Sequence, residues 1–446
     1  MRYDNLHLKA PGNWINDPNG FIWYRGEYHL FYQYFPYEPK WGTMHWGHAV
    51  SKDLVHWEHK PIALYPSRYE DMNGCFSGSA VKKEGRLYIY YTGVRYEETS
   101  KEDIHHCLDE KFESAQLMIT SEDGYYFDNF HDKKVIIPPI TDTVIGDRTH
   151  TRDPKVFESG GQHYMVVGST NDKVQGKLLI YTSSDLETWD YLNSYTEDSG
   201  IFGWMCECPD IFEVDGQKIL LFSSMGYLKD GMTEENQSLC TRISFNGETG
   251  AIQRQDDCRY IDYGLDIYAC QTTEDESGRR IMIGWMRMPK PVEGSRPWIG
   301  MMSLPRVIEI RDGKICYPVH PAVKDVFEYA KEPAALSMKK DCAYKFDLEL
   351  QEGEEISLGG YRIFRENGCI QTDRCNVYPE EEGLRTEFRT PEIDGRCSIE
   401  VYAEPNLIEI FVNDGEYVLS NVVYGLGSEI IIPDGITCRV KEVNLL

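Results

Sequence analysis

Long apolar runs, helical periodicity and basic residues are what this chain of 446 residues has least of, and each shortage removes a class of function. No stretch approaches the roughly 18 consecutive apolar residues of a membrane helix, and the start, Met1-Arg2-Tyr3-Asp4-Asn5-Leu6-His7, lacks the apolar centre of a secretory leader. A cytoplasmic protein is expected. Lysine and arginine number 46 against 73 aspartates and glutamates, for a net charge of −27, which repels phosphate backbones and anionic lipid surfaces. Neither nucleic acid nor a membrane is an expected partner. The 13 cysteines are odd in number and follow no framework, in a chain far larger than disulfide-stapled domains, so reduced thiols are expected. Cys206-Glu207-Cys208 is answered by no second close Cys or His pair at zinc spacing, and no metal or other cofactor is expected.

What the chain does have is alternation: aromatic and β-branched runs between glycine-containing turns, the pattern of a mostly β protein. Five segments repeat a glycine turn, a polar residue and an apolar strand: Gly26-Glu27-Tyr28-His29, Gly85-Arg86-Leu87-Tyr88, Gly161-Gln162-His163-Tyr164, Gly216-Gln217-Lys218-Ile219 and Gly278-Arg279-Arg280-Ile281. Each glycine suits the positive φ of a tight hairpin. Their spacing exceeds the roughly 40–50 residues of a compact propeller blade and leaves room for long loops, so five blades are expected. Ser51-Lys52-Asp53, Ser121-Glu122-Asp123 and Ser183-Ser184-Asp185, each with an aromatic four residues beyond the Asp, read as the turn between third and fourth strands of three blades. The fold class expected is all-β, with a five-bladed β-propeller over residues 1–305, a Pro-punctuated connector over 306–333 with a short helix near Val323–Tyr329, and a C-terminal β-sandwich over 334–446.

Counting back from the hairpin glycines finds the start of each blade's innermost strand, and three of those slots hold an acid. Asp17 lies nine residues before Gly26, Asp153 eight before Gly161 and Glu207 nine before Gly216. Equivalent positions on different blades face one axis, so the three carboxylates are expected at one mouth of the channel. Phe76-Ser77-Gly78-Ser79 of blade two and Tyr268-Ala269-Cys270 of blade five would complete the wall. The alternative is that the acids are solvated strand starts. Converging carboxylates raise one another's pKa, so that one can act as an acid beside an ionised neighbour, the division of labour that glycoside hydrolysis requires.

Trp14-Ile15-Asn16-Asp17-Pro18-Asn19-Gly20, Phe76-Ser77-Gly78-Ser79, Arg152-Asp153-Pro154 and Glu207-Cys208, in that order, resemble the motif set of glycoside hydrolase family 32, the invertases and other β-fructofuranosidases. The likeness extends to Ile408-Glu409-Ile410-Phe411-Val412-Asn413-Asp414-Gly415-Glu416, similar to a segment of that family's C-terminal sandwich. The resemblance implies a retaining hydrolase of terminal β-D-fructofuranosyl units, with Asp17 as nucleophile, Glu207 as acid and then base, and Asp153 as transition-state stabiliser. Asn16, Gln33, Trp41, Phe76 and Ser77 match positions that bind the fructosyl ring, and Trp14 lies at the same mouth. Arg152, beside Asp153, is expected to hold that acid ionised and to reach the sugar. The sequence departs from the pattern at Phe35-Pro36, where the family commonly has Asn-Pro.

The expected ligand is thus a small carbohydrate: sucrose, sucrose 6-phosphate or a short fructo-oligosaccharide. A phosphate would call for basic residues at the rim, for which Arg148, His150 and Lys155 are available. Transfructosylation on the same scaffold and a non-catalytic fructan-binding lectin are the other readings. A pure binder has no need of three acids on one channel.

Overall fold

The alternating segments fold as antiparallel sheets in the computed structural model, which describes residues 3–229, 232–233, 236–333, 335–381 and 383–445. Of the boundaries expected from the sequence, Met1, Ala334 and Leu446 lie outside the described residues. Five sheets form the blades of a propeller. Their innermost strands are Asn13–Tyr24, Gly74–Lys83, Arg152–Ser159, Met205–Val214 and Ile267–Glu274, and each pairs with the strand that its hairpin glycine introduces. All five glycines have positive φ, between 74° and 87°, and a Cβ on any of them would meet nothing. Backbone conformation, not space, therefore selects glycine there.

The three Ser-x-Asp segments turn between third and fourth strands as expected. Ser51, Ser121 and Ser183 Oγ accept from the backbone N–H three residues on at 2.8–2.9 Å, and Asp53, Asp123 and Asp185 accept in the same way at 2.7–2.9 Å. The aromatics that follow seal the blades together. Phe127 meets Phe31 and Trp189 meets Tyr90 edge to face, with centroids 5.8 and 5.7 Å apart. Trp46 and Trp57 are wholly buried.

Blade one closes the ring, because Trp298–Ile299, from the segment that follows the second strand of blade five, lies parallel to its inner strand beside Asn13 and Trp14. Arg306–Val307, just past the expected end of the array, pairs with Arg280–Met286 of blade five. A hairpin, Glu309–Arg311 with Lys314–Cys316, and a helix, Pro321–Glu328, then lead to two five-stranded sheets that form the sandwich. The helix starts two residues earlier than expected, with Pro321 in its first turn and His320 Nδ1 accepting from Ala322 N. One apolar cluster, including Met301, Tyr317, Phe327, Tyr402 and Phe411, joins the sandwich to the propeller. Buried charges cross the same joint: His7 lies between Glu404 at 2.6 Å and Glu409 at 2.8 Å, and Arg306 lies between Glu409 at 2.7 Å and Asp262 at 2.8 Å. Among the described residues no helix is long and apolar enough to cross a membrane, and all 13 cysteines are free.

Candidate active site

Each innermost strand carries a bulge at the same height. Two of its residues oppose one of its neighbour between Ile15 and Pro18, Cys75 and Gly78, Arg152 and Lys155, Glu207 and Asp210, and Tyr268 and Gln271. A bulge bends the strand and re-aims its side chains. In blades three, four and five the first bulge residue, Asp153, Cys208 and Ala269, has left-handed backbone with φ 68°, 45° and 52°, a conformation unfavourable for such residues and typical of functional sites.

The register corrects one expectation. The three acids do not share an equivalent slot: Asp17 is the second residue of its bulge, Asp153 the first of its own, and Glu207 immediately precedes its bulge. The bulges compensate, and the carboxylates still meet. Cys208 Sγ is 3.6 Å from both Asp17 Oδ2 and Asp153 Oδ2, and Cys208 N donates to Asp153 Oδ2 at 2.9 Å. Asp153 is buried, whereas Asp17 and Glu207 remain partly exposed.

Asp17 accepts from Ser77 Oγ at 2.6 Å and from Asn16 Nδ2 at 3.1 Å; Trp14 Nε1 donates to Asn16 Oδ1 at 2.8 Å and so fixes the amide. Trp41 meets Phe76 edge to face at 6.0 Å, beside Ser77. Gly78 follows Ser77 because only hydrogen fits: a Cβ would lie 1.9 Å from Tyr90 O. Gln33 is buried opposite the bulge of blade one, with its amide nitrogen donating to Cys75 O at 3.0 Å.

Arg152 differs from expectation. Its guanidinium lies on Glu207, not Asp153: Nε and Nη2 are 2.9 and 2.8 Å from Glu207 Oε1. The bulge starts one residue later and turns the two neighbouring side chains apart. Tyr268, read from sequence only as a possible wall, donates from its hydroxyl to Glu207 Oε2 at 2.7 Å, so both oxygens of Glu207 are held. Beneath Arg152, His150 Nδ1 stands 3.4 Å from Nη1.

Burial and the charge of Glu207 push Asp17 up to about 6, against the hydrogen bonds from Ser77, Asn16 and Cys208. Asp153 is raised by burial and Glu207 as well, and Arg152 only partly opposes them. Such a cluster of perturbed carboxylates in one mouth is the electrostatic pattern of acid–base chemistry.

The sequence profile described as the glycosyl hydrolases family 32 N-terminal domain matches residues 7–318. The chain belongs to glycoside hydrolase family 32. It is 33% identical over 443 residues to a sucrose-6-phosphate hydrolase of Bacillus subtilis, covering 93% of this chain and 88% of that one. It is 32% identical over 450 residues to a raffinose invertase of Escherichia coli, covering 95% and 89%. Among solved structures, a family 32 β-fructofuranosidase of Bombyx mori superposes with a TM-score of 0.82 at 27% identity, over 100% of this chain and 94% of that one. The propeller and sandwich described above are the fold of this family.

Proposed function

We propose that the protein hydrolyses the bond between C2 of a terminal β-D-fructofuranosyl unit and its leaving sugar, in sucrose, sucrose 6-phosphate or a short fructo-oligosaccharide. The observation that carries this reading is the meeting of three carboxylates from blades one, three and four, with the Cys208 thiol between Asp17 and Asp153 and with Glu207 held by Arg152 and Tyr268.

Asp17 attacks C2. Its two oxygens are oriented by Ser77 and Asn16, and above a pKa of about 6 it carries the charge that attack requires. The C2–O bond to the leaving sugar breaks as Glu207 gives that oxygen a proton, leaving a fructosyl ester on Asp17. Water then attacks C2 while Glu207 takes back a proton, and the ester oxygen returns to Asp17 as carboxylate. Two displacements at C2 retain its configuration. Asp153, buried beside Asp17, accepts hydrogen bonds from fructosyl hydroxyls that strengthen as C2 becomes cationic. Trp14, Trp41 and Phe76 supply the apolar wall against which the ring stacks, and Gln33 supports the strand beneath it. The free thiols suit a reducing cytoplasm, where small imported sugars are the available substrates.

Fructose release from sucrose, sucrose 6-phosphate and 1-kestose by folded wild type, Asp17→Asn and Glu207→Gln tests the proposal. Both variants are expected to lose about 100- to 10,000-fold in kcat. Variants as active as the wild type would mean that other acids do the chemistry.

A further inference from the structure

Basic side chains at the end of the propeller where the inner strands begin fall into two groups. Most are neutralised: Lys40 by Glu38 and Asp103, Lys173 by Glu110, Arg95 and Arg148 by Glu113, and Arg152 by Glu207. Of the three basic residues available in the sequence for a phosphate, Arg148 is thus occupied, His150 is buried under Arg152, and Lys155 is buried in the channel, 3.1 Å from Asp210 and 2.9 Å from Thr272 O.

The segment 287–297 is the other group. It carries Arg287, Lys290 and Arg296 against the single acid Glu293, in a chain whose net charge is −27. Among the described residues none of these three cations is within ion-pair distance of a carboxylate. The segment also lies where a leaving sugar would be. Arg287 stacks over the Tyr268 ring, its guanidinium carbon 5.2 Å from the centroid, and the Tyr268 hydroxyl is the one that holds Glu207. At the far end Arg296 packs over Gly12, and Trp298 pairs beside Asn13 and Trp14. The backbone carbonyls of Leu265 and Asp266 accept from Arg287 Nη2 and Nε, which orients the guanidinium and leaves Nη1 without a protein partner among the described residues.

A guanidinium in that state costs little to bring onto an anion, because no salt bridge has to break, and its planar fork suits a phosphate. The strongly acidic remainder of the chain would repel a phosphate dianion, so a local excess of cations beside the acid/base residue has a use only when the departing group is anionic. Resting on the fructosidase reading above, we propose that Arg287 is the specificity-determining residue for a leaving sugar that bears a phosphate monoester, with Lys290 and Arg296 adding to the attractive field. The neutral glucose released from sucrose departs through the same mouth without that contact.

The test compares kcat/KM for sucrose 6-phosphate and sucrose in the full chain as wild type, Arg287→Met and Arg287→Lys, with melting temperatures as a check on folding. The wild type is expected to prefer the phosphorylated sugar. Arg287→Met should reduce that preference by about 10- to 100-fold, mostly through KM, and Arg287→Lys should keep part of it, since a point charge remains. In the wild type the preference should also shrink as salt is raised, which needs no variant to fold. Equal use of the two sugars, a preference unchanged in Arg287→Met, or a preference indifferent to salt would overturn the inference while leaving the fructosidase reading intact. Fructose release from neither of these sugars nor from 1-kestose would overturn that reading instead.

Discussion

Ser77 Oγ donates to Asp17 Oδ2 at 2.6 Å across the joint between blades one and two. The bond stabilises the ionised form of a carboxyl that burial and Glu207 otherwise push up to about 6. Removing it in Ser77→Ala raises the Asp17 pKa further. Because the attack proposed for Asp17 requires its carboxylate, activity should rise with pH through this group, and the acid limb of the kcat/KM profile should move from near pH 6 toward neutrality. At a fixed pH of 5.5 the loss should be about 5- to 10-fold, the fall in the ionised fraction of Asp17 for a shift of about one unit. A pH–rate profile measures both; an acid limb that stays in place would detach Asp17 from it.

The same crowding predicts a gain in stability from removing the proposed nucleophile. Asp17 has a higher pKa folded than unfolded, so its ionisation destabilises the native state: the cost is absent below about pH 4 and complete above about pH 6. Asp17→Asn should therefore melt at a higher temperature than the wild type at pH 8 and near the wild-type value at pH 4. Discounted for the partial exposure of the side chain, the gain is on the order of 1–2 kcal/mol. Thermal unfolding of both proteins at the two pH values tests the sign.

How far the sequence foretold this site depends on whether a feature is local. Hairpin glycines and Ser-x-Asp turns are local, since each is set by φ or by a side chain bonding its own backbone, and the structure has them where the text does. The acids were legible too, because they stand near blade starts that repeat. Register was not. A bulge adds a residue to one strand without leaving a mark in composition, yet it decides that Arg152 turns to Glu207 and not to its neighbour Asp153. Tyr268, 61 positions from Glu207, and Cys208, touching two acids in other blades, became partners only when the ring closed. Glu409, on a strand that resembles part of the family's sandwich, gave no hint that it would hold both His7 and Arg306.

Arg306, like His7, holds two carboxylates. Its Nη2 lies 2.8 Å from Asp262 and 2.7 Å from Glu409, and all three side chains are wholly buried. Arg306→Met would keep much of the volume, leave Asp262 without its cation and leave Glu409 with His7 alone. Breaking such a buried group from one side costs about 3–5 kcal/mol. Chemical denaturation should show that loss, and the double replacement Arg306→Met with Glu409→Gln should recover part of it; full additivity would argue that the two residues act separately.

His7 makes the joint between propeller and sandwich sensitive to base. Burial alone would lower its pKa, but Glu404 and Glu409 outweigh burial and raise it to about 9. The proton is held more tightly in the folded protein than in the unfolded chain, where histidine titrates near 6.5. The resulting stabilisation is fully present below about pH 6.5 and is lost as pH rises through 9, a change of about 3 kcal/mol for a buried group with this shift. The melting temperature should accordingly fall between pH 7 and pH 10. His7→Gln, which keeps a donor but has no proton to lose, should start lower and vary much less across that interval. Parallel curves for the two proteins would place the alkaline loss in other groups.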